Sequence, residues 1–415
     1  MLSELRALNS VQRKTVLASF LGWTLDSFDY FVLVYAVKAI AGDFHVGRED
    51  VAFAITLTLA ARPFGAYVFG RLADRYGRRP ILMLDILLFS VFELASAFAP
   101  SLTALLILRT LFGFAMGGEW GLGASLTMEI IPEKSRGIVS GLLQEGYAVG
   151  SLLAALLFGL LFDRIGWRGM FIVGFVPALL VVYIRMHVPE SPVWEQVQKK
   201  PAAERSGMAA MRGLWGRAFY MVVLMTAFTF FSHATQDLYP TFLQVEHGFD
   251  TGLTSKLGQF GQVGAILGGL TIGALSQRIG RKRAIIFAAL LAFPALKLWA
   301  FSDSAFWLAL GAFAMQFSVQ GSWGVIPVHL NELSPDAVRG TLPGLTYQIG
   351  NFISSIVPWL LALLAEHNGK QYGFTMAVFI AAVVVVLIAV TAFGPEAKDV
   401  RFGDAPLNAA PVANS

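Results

Sequence analysis

Three sequence motifs occur twice in this chain, and each second copy follows the first by 203 residues. The pairs are GRLADRYGRR at 70–79 with GALSQRIGRK at 273–282, GEWG at 118–121 with GSWG at 321–324, and EIIP plus RG at 129–137 with ELSP plus RG at 332–340. Self-similarity at one fixed period indicates that a structural unit has been duplicated. We therefore predict a chain built from two related halves.

Apolar side chains dominate the composition. Hydrophobic residues make up 56% and charged residues 14% of the chain, and the mean hydropathy is +0.64. Such a chain has too little polar surface for a soluble fold, so we expect it to lie in a lipid bilayer. Nucleic-acid binding is not indicated, because the basic residues stand in short clusters between apolar runs. The absence of cysteine excludes disulfides and thiolate metal sites.

Twelve stretches of the chain reach the roughly 20 apolar residues that a transmembrane helix needs. They cover residues 15–40, 51–72, 80–99, 102–127, 138–161, 168–188, 218–243, 254–276, 283–302, 305–329, 340–365 and 372–394. The predicted fold is an all-α membrane protein with twelve transmembrane helices in two pseudo-symmetric six-helix bundles. We expect bundles at 1–190 and 218–396, joined by a cytoplasmic linker at 191–217 and followed by a cytoplasmic tail at 397–415.

The positions of the basic residues predict the orientation. Of the 31 Lys and Arg, 22 lie in the termini and in the segments expected on the same side as the termini, and five lie on the opposite side. Cytoplasmic segments of membrane proteins carry such an excess. We predict a multi-pass protein of the inner (plasma) membrane with both termini in the cytoplasm.

The sequence lacks the patterns of an enzyme or an ATP-driven pump. No His or Asp cluster has metal-ligand spacing, no Walker-type phosphate loop is present, and the glycine-rich residues 113–123 follow no strand. We expect no enzymatic activity, no cofactor and no metal. A duplicated membrane chain of this kind indicates a transporter with a site between its halves, driven by a gradient or passive.

The first repeated motif resembles the signature loop of the major facilitator superfamily, and the similarity covers essentially the whole chain. The resemblance implies that Asp74 bonds across the interface of the halves and stabilises one end state, with Arg75, Arg78 and Arg79 as basic partners. Gln277 replaces the acid in the second copy, so we expect a weaker second latch. Arg136 and Arg339, which occupy equivalent positions in the other repeat, are assigned to the same latch. A monomer is also implied.

The seventh stretch contains the polar sequence SHATQDLYPT at 232–241. It resembles the signature of the fungal lactate permeases in the sialate:proton symporter family, which has Asn where this chain has Thr229. His233 and Asp237 are four residues apart and share a helix face with Thr229 and Thr241, with Gln236 beside them. An imidazole and a carboxylate are costly in lipid, so we interpret this face as a substrate and proton site. The alternative is a buried polar cluster that only joins helices. Pro240 is expected to kink the helix.

Arg62 lies about 16 Å inside the second stretch by the helical rise, close to the bilayer midplane. A guanidinium there requires an anion, and its planar fork matches a carboxylate, so Arg62 is our first candidate for binding an anionic substrate. The alternative is a permanent ion pair with Asp26 or Asp29. The two roles can also alternate, with the substrate replacing the acid.

Several acids are candidates for proton coupling. Asp26 and Asp29 share one face of the first helix, and Glu119 and Glu145 extend the line of acids towards the cytoplasm, together with Asp237. Carboxyls in apolar surroundings become usable proton carriers near neutral pH. For each acid, a structural hydrogen bond between helices is an equal alternative. Arg109 is expected to pair with Asp29 or Asp237 as an outer gate.

The eleventh stretch places Gln348 and Asn351 three residues apart on one face. The resembled permeases carry Gln and Asn at this spacing as polar substrate contacts, although the two amides can equally bridge helices. Pro358 is expected to kink this helix.

Together these features predict proton-coupled symport of a small monocarboxylate of the lactate and pyruvate class. The expected partners are the organic anion, protons and the lipid bilayer. The alternatives are a sialic acid or aromatic acid symporter, a nutrient sensor that binds without transport, and a facilitative uniporter or channel.

Overall fold

Helices form nearly all of the structure, and no strand occurs in the part that is described. The computed structural model describes residues 2–186, 188–199, 215–369, 371–398 and 400–403. The predicted linker at 191–217 and tail at 397–415 fall largely outside these residues, so their bounds stay predictions.

Within the described residues, the first half contains eight helices and a ninth, short one. They are α1 (Leu2–Arg6), α2 (Ser10–Phe44), α3 (Arg48–Tyr76), α4 (Arg78–Ala97), α5 (Leu102–Met116), α6 (Glu119–Ile130), α7 (Arg136–Gln144), α8 (Gly146–Met186) and α9 (Pro192–Gln198). Helix α8 is interrupted at Gly166, whose backbone φ is 63°, so it contains two lengths of helix.

The second half contains ten helices. They are α10 (Trp215–Gln236), α11 (Tyr239–Val245), α12 (Thr251–Ile279), α13 (Arg281–Leu290), α14 (Ala292–Phe301), α15 (Ala305–Trp323), α16 (Ile326–Leu333), α17 (Leu342–Ser354), α18 (Val357–His367) and α19 (Tyr372–Phe393). Each of the twelve predicted membrane stretches coincides with one of these helices, with part of α8, or with two consecutive helices. Within the described residues, nine helical segments are long and apolar enough to cross a membrane by themselves.

The turns after α3 and α12 show the duplication in the backbone. Gly77 has a φ of 112° and Gly280 a φ of 98°, and the two glycines are one repeat apart. This region of backbone conformation is readily available only to glycine, which explains the glycine in both copies of the motif. The chain reverses there into α4 and into α13.

The two halves meet through pairs of helices related by the same repeat. Helix α3 packs against α17, and α7 packs against α12. The approach is so close that a methyl group built on Gly273 would lie 2.9 Å from the carbonyl oxygen of Gly137, and one built on Gly70 would lie 3.0 Å from that of Gly340. The backbones therefore touch where the halves face each other.

Candidate functional site

A cavity of about 120 Å³ lies between the two halves. It is lined from both bundles by Trp23, Asp26, Ser27, Tyr30, Leu59, Arg62, Gln144, Tyr147, Thr229, Ser232, His233, Gln236, Asp237, Gln320, Trp323, Tyr347, Asn351 and Ser355. Of the predicted substrate and proton residues, it brings together Arg62, His233, Gln236, Asn351, Asp26 and Asp237. A space of this size holds several waters or a small solute.

Arg62 and Asp26 form a buried ion pair in this cavity. One guanidinium nitrogen, Nη2, donates to both carboxylate oxygens of Asp26, at 2.7 and 2.9 Å. The Nε–H of Arg62 is buried and makes no hydrogen bond. Asp26 therefore binds one corner of the guanidinium, and the Nε donor stays unused.

Aromatic rings close the cavity at one end. The ring of Tyr347 lies 4.5 Å from that of Trp120, 5.6 Å from that of Trp323 and 6.5 Å from that of Trp23. Trp23 also lies 6.0 Å from Tyr147. Trp120 and Trp323 are the tryptophans of the repeated GEWG and GSWG motifs, so the duplication supplies one ring from each half.

His233 and Asp237 lie at the other end of the cavity. The Nδ1 atom of His233 is 2.8 Å from Oδ2 of Asp237, and both side chains are about one-third exposed (32% and 34%). Gln236 donates to Gln316 at 3.1 Å. This end is therefore the accessible one, whereas Trp23 and Trp120 at the opposite end are buried.

Helix breaks shape the accessible end. Helix α10 ends at Gln236 and α11 begins at Tyr239, with Pro240 in its first turn. The predicted interruption at Pro240 is present, and because of it Thr241 does not continue the face of His233 and Asp237 into the cavity. The predicted break near Pro358 is also present, since α17 ends at Ser354 and α18 begins at Val357.

Four of the predicted site residues do not line the cavity. Gln348 is buried and contacts Asn351 at 3.5 Å. Asp29 packs against Gly174 inside the first bundle, and neither of its oxygens has a hydrogen-bond partner. Glu119 lines a separate small pocket with Trp120 and Ser19. Glu145 lies at the junction of α7 and α8, where the two halves meet.

Arg109 does not occupy the gate position that we expected. It is fully buried within the first bundle and donates to Glu93 at 2.7 Å and to Ser96 at 2.7 Å. Its guanidinium also lies over the rings of Phe112 and Phe171. The expected pairing with Asp29 or Asp237 is absent here because Glu93, one helix away, supplies the anion.

A charged network closes the end of the molecule that carries the repeated loops, which we call the linker face. Glu129 accepts from Arg78 of its own half and from Arg339 of the other half, both at 3.4 Å. In the repeated arrangement, Glu332 accepts from Arg281 at 2.9 Å and lies 3.9 Å from Arg136. Each glutamate thus contacts one arginine of each half, so the network joins the halves.

The two latches of the linker face differ in the bonds that they make between the halves. Asp74 accepts from Arg78 at 2.7 Å and from the backbone N–H of Gly340 at 2.9 Å, and it also bonds the hydroxyl of Thr341. Gln277, its counterpart, accepts from the N–H of Gly137 at a longer 3.3 Å. Arg75 takes no part in the latch; it is exposed and lies over the ring of Tyr76.

Two glutamates outside the membrane helices hold the loops in place. Glu190 accepts from the backbone N–H groups of Arg78 and Arg79, and Glu396 accepts from those of Arg281 and Lys282. Burial raises the pKa of Glu190, and the bonds from the backbone of Ser191, Arg79 and Arg78 offset part of that rise. The same capping arrangement therefore occurs once in each half.

The end of the described chain reaches the centre of the linker face. The ring of Phe402 lies 3.6 Å from the guanidinium carbon of Arg136 and 3.7 Å from that of Arg339. Arg136 also donates to the carbonyl of Val400 at 2.8 Å. The ring therefore lies between two equivalent arginines, one from each half.

Sequence reasoning missed the aromatic lining of the cavity and the two glutamates of the linker face. Glu129 and Glu332 carried a signal, because both lie in a repeated motif next to a repeated arginine. Trp23, Tyr30, Tyr147 and Tyr347 carried none, since such rings are equally common on surfaces that face the membrane interface.

Two joined helical bundles with a polar cavity between them, accessible at one end and closed at the other, define a membrane transporter rather than an enzyme. The chain belongs to the Major Facilitator Superfamily, whose sequence profile matches residues 19–263 and 257–414. The predicted fold is confirmed. The solved structure of the proton:xylose symporter XylE has the same fold, with a TM-score of 0.78 at 19% identity over 96% of this chain and 98% of that one.

Relatives with similar sequences are also transporters by name. The chain is 28% identical to the sialic acid transporter NanX of Escherichia coli (strain K12), over 91% of this chain and 92% of that protein. It is 27% identical to a carboxylic acid transporter protein homolog of Saccharomyces cerevisiae, over 91% of this chain and 67% of that protein.

Proposed function

We propose that this protein carries a small monocarboxylate of the lactate and pyruvate class across the cytoplasmic membrane together with protons, by alternating access. The pair of Arg62 and Asp26 in the cavity between the halves carries this proposal. Both relatives named above transport acids by name, which supports an organic anion as the substrate. The likeness of residues 232–241 to the signature of the fungal lactate permeases supports the narrower class.

The substrate and Asp26 compete for Arg62 in the proposed cycle. While Asp26 is ionised it occupies Nη2 of Arg62. A proton that arrives from the accessible end neutralises Asp26, and the guanidinium then takes the carboxylate of the substrate in its place. Binding of the anion thus requires uptake of a proton, which is the condition for symport.

Other groups serve the same cycle. His233 and Asp237 lie at the accessible end, where they meet protons and substrate first, and Gln236 and Asn351 line the path with amides. Asp29, Glu119 and Glu145 continue as proton-coupling candidates away from the cavity. Opening of the linker face requires the bonds that Asp74, Arg78, Arg136 and Arg339 make to the opposite half to break as the halves rotate.

A second candidate substrate class is a planar aromatic or unsaturated carboxylate. Five of the side chains around the cavity are aromatic: Trp23, Tyr30, Tyr147, Trp323 and Tyr347. The indole N–H groups of Trp23 and Trp323 are buried without a hydrogen-bond partner, so they can donate to a bound ligand. Rings of this kind stack on a flat ligand and gain little from a small aliphatic one.

Uptake into proteoliposomes tests the function. Purified protein is reconstituted, and labelled lactate is offered with and without an inward acid gradient. Symport predicts accumulation above equilibrium only with the gradient. Uptake that ignores the gradient would indicate a uniporter, and binding without uptake would indicate a sensor. Competition by unlabelled pyruvate, nicotinate and sialic acid then separates the substrate classes, since the preferred class inhibits at the lowest concentration.

A further inference from the structure

Glu145 is a buried carboxyl group without a partner at the seam between the two halves. Helix α7 ends at Gln144 and α8 begins at Gly146, so Glu145 occupies the junction. The residue is 3% exposed. Both carboxyl oxygens are buried, and neither has a hydrogen-bond partner.

Gly269 of the other half provides the space for this carboxyl. A methyl group built on Gly269 would lie 1.9 Å from Oε1 of Glu145, and its next neighbour outside that side chain is the carbonyl oxygen of Gln320 at 3.4 Å. The Glu145 side chain thus fills the place of a side chain on α12. Because α7 and α12 belong to different halves, the carboxyl leaves this space when the halves separate on that side.

While the linker face is closed, no charged group offsets the charge that an ionised Glu145 carboxylate would carry. Helix α15 contains no ionisable residue, and those of α12, Lys256 and Arg278, are 13 and nine positions from Gly269. The ionisable residues of the other neighbouring elements include Asp26 and Asp29 on α2, Glu119 on α6, Tyr147 on α8, Arg136 on α7, and His329 and Glu332 on α16. Among the described residues, none of these groups forms a hydrogen bond with the Glu145 carboxyl.

We propose that Glu145 is a proton-carrying residue whose protonation is required to seal the linker face. An ionised carboxylate with neither a cation nor a hydrogen bond is strongly unfavourable in such a place, so the sealed arrangement holds the neutral acid. When the halves separate on that side, the carboxyl meets water and releases its proton. The inference rests on the proposed symport and assigns the proton-release step to one residue.

Transport by Glu145→Gln tests the role, because glutamine mimics the neutral acid and cannot release a proton. We expect exchange of labelled for unlabelled lactate to persist and accumulation driven by an acid gradient to be lost. Accumulation equal to that of the wild type would overturn the inference. If the wild type itself fails to accumulate lactate, the proposed function fails instead, and the measurement below still tests Glu145.

The state of the linker face can be measured without transport. The chain contains no cysteine, so Tyr76→Cys and Arg278→Cys place one spin label on each half at exposed positions. Between pH 5 and pH 8 we expect the wild-type background to shift towards longer distances, as Glu145 ionises and the face opens. In Glu145→Gln the distances between the labels should not change over this pH range. An unchanged pH response in that variant contradicts the proposal.

Gly269→Ala provides a matched test of the contact. Its methyl group overlaps only the Glu145 carboxyl, so we expect a longer distance between the labels at pH 5. In Glu145→Ala/Gly269→Ala the methyl fills the vacated space, which should restore the short distance and abolish its pH response. A double variant that stays open, or that responds to pH as the wild type does, would refute the assignment.

Discussion

At the scale of single residues, the pairing of Arg62 is the feature on which the proposed transport cycle depends. Asp26 binds only one corner of the guanidinium, and Nε keeps an unused donor. Unused donors on a buried arginine are costly unless another acceptor arrives. A carboxylate ligand is the acceptor that fits both the charge and the planar geometry.

Replacing Arg62 by lysine is expected to weaken substrate binding about ten- to a hundredfold, because a hydrogen bond to a charged group contributes roughly 1.5–3 kcal/mol. The half-saturating lactate concentration in proteoliposomes measures the effect. Arg71→Lys, on the exposed side of the same helix, is the control and should leave the concentration unchanged. Equal affinity in Arg62→Lys and the control would contradict the binding role.

Asp26→Asn is expected to uncouple binding from pH. In the proposed cycle, acidification of the wild type protonates Asp26 and frees Arg62, so lactate should bind more tightly as pH falls. Asparagine leaves Arg62 without its competing anion at every pH, so affinity should be high and constant between pH 5 and pH 8. Tryptophan fluorescence quenching in detergent measures both profiles, since Trp23 and Trp323 line the cavity. A variant with the wild-type pH profile would show that another acid competes.

The sequence identified the polar residues within apolar helices, but it did not show which of them line the cavity. Arg62, Asp26, His233, Gln236, Asp237 and Asn351 were found because polar groups stand out in apolar helices. The same reasoning also selected Asp29 and Arg109, which lie inside the first bundle. Asp26 and Asp29 are three residues apart on one helix, yet only Asp26 reaches the cavity, because Asp29 packs against Gly174 of α8.

At the scale of helices, the breaks matter as much as the helices themselves. Spans interrupted at Pro240 and Pro358 place side chains differently before and after the break. The two proline breaks and the glycine turns could be predicted, since both residues act locally on the backbone. The side of each helix that points towards the cavity could not be predicted, because a helix that is apolar nearly all round shows no preferred side.

The glycine turns provide a prediction for the stability of the bundle. Gly77→Ala and Gly280→Ala each force a side chain into a left-handed conformation, which costs about 1–3 kcal/mol. We expect a lower apparent melting temperature for both, measured by the fluorescence of the nine tryptophans. Gly159→Ala in α8 is the control, since an added methyl group meets no atom within 4 Å there. Equal melting temperatures in all three variants would contradict this account.

At the scale of the whole molecule, the duplication is incomplete, and the difference lies in the latches. The duplication itself and the two bundles followed from the repeat of 203 residues and from the apolar stretches. Both residues accept from an arginine of their own half, Asp74 from Arg78 at 2.7 Å and Gln277 from Arg281 at 2.9 Å. Across the halves, the Asp74 carboxylate accepts from the N–H of Gly340 and the hydroxyl of Thr341, whereas the uncharged Gln277 accepts from the N–H of Gly137 at 3.3 Å. Opening of the linker face therefore loses more energy at the Asp74 latch.

Weakening that latch should change the population of states. Asp74→Asn is expected to shift the equilibrium towards an open linker face on the order of tenfold, since one charged interaction is lost. In a Ser355→Cys background, a membrane-impermeant maleimide reports how accessible the cavity is from its accessible end. Labelling should slow in Asp74→Asn and stay unchanged in the control Gln277→Asn. Unchanged labelling in Asp74→Asn would show that the latch does not set the equilibrium.

The position of Phe402 has a practical consequence for anyone who works with this chain. Its ring lies between Arg136 and Arg339, so the last described residues contact both halves of the protein. A truncation before Val400 removes the Phe402 ring, and a bulky tag fused at that position displaces it. Reporter fusions made at this point would therefore disturb the very equilibrium they are meant to observe.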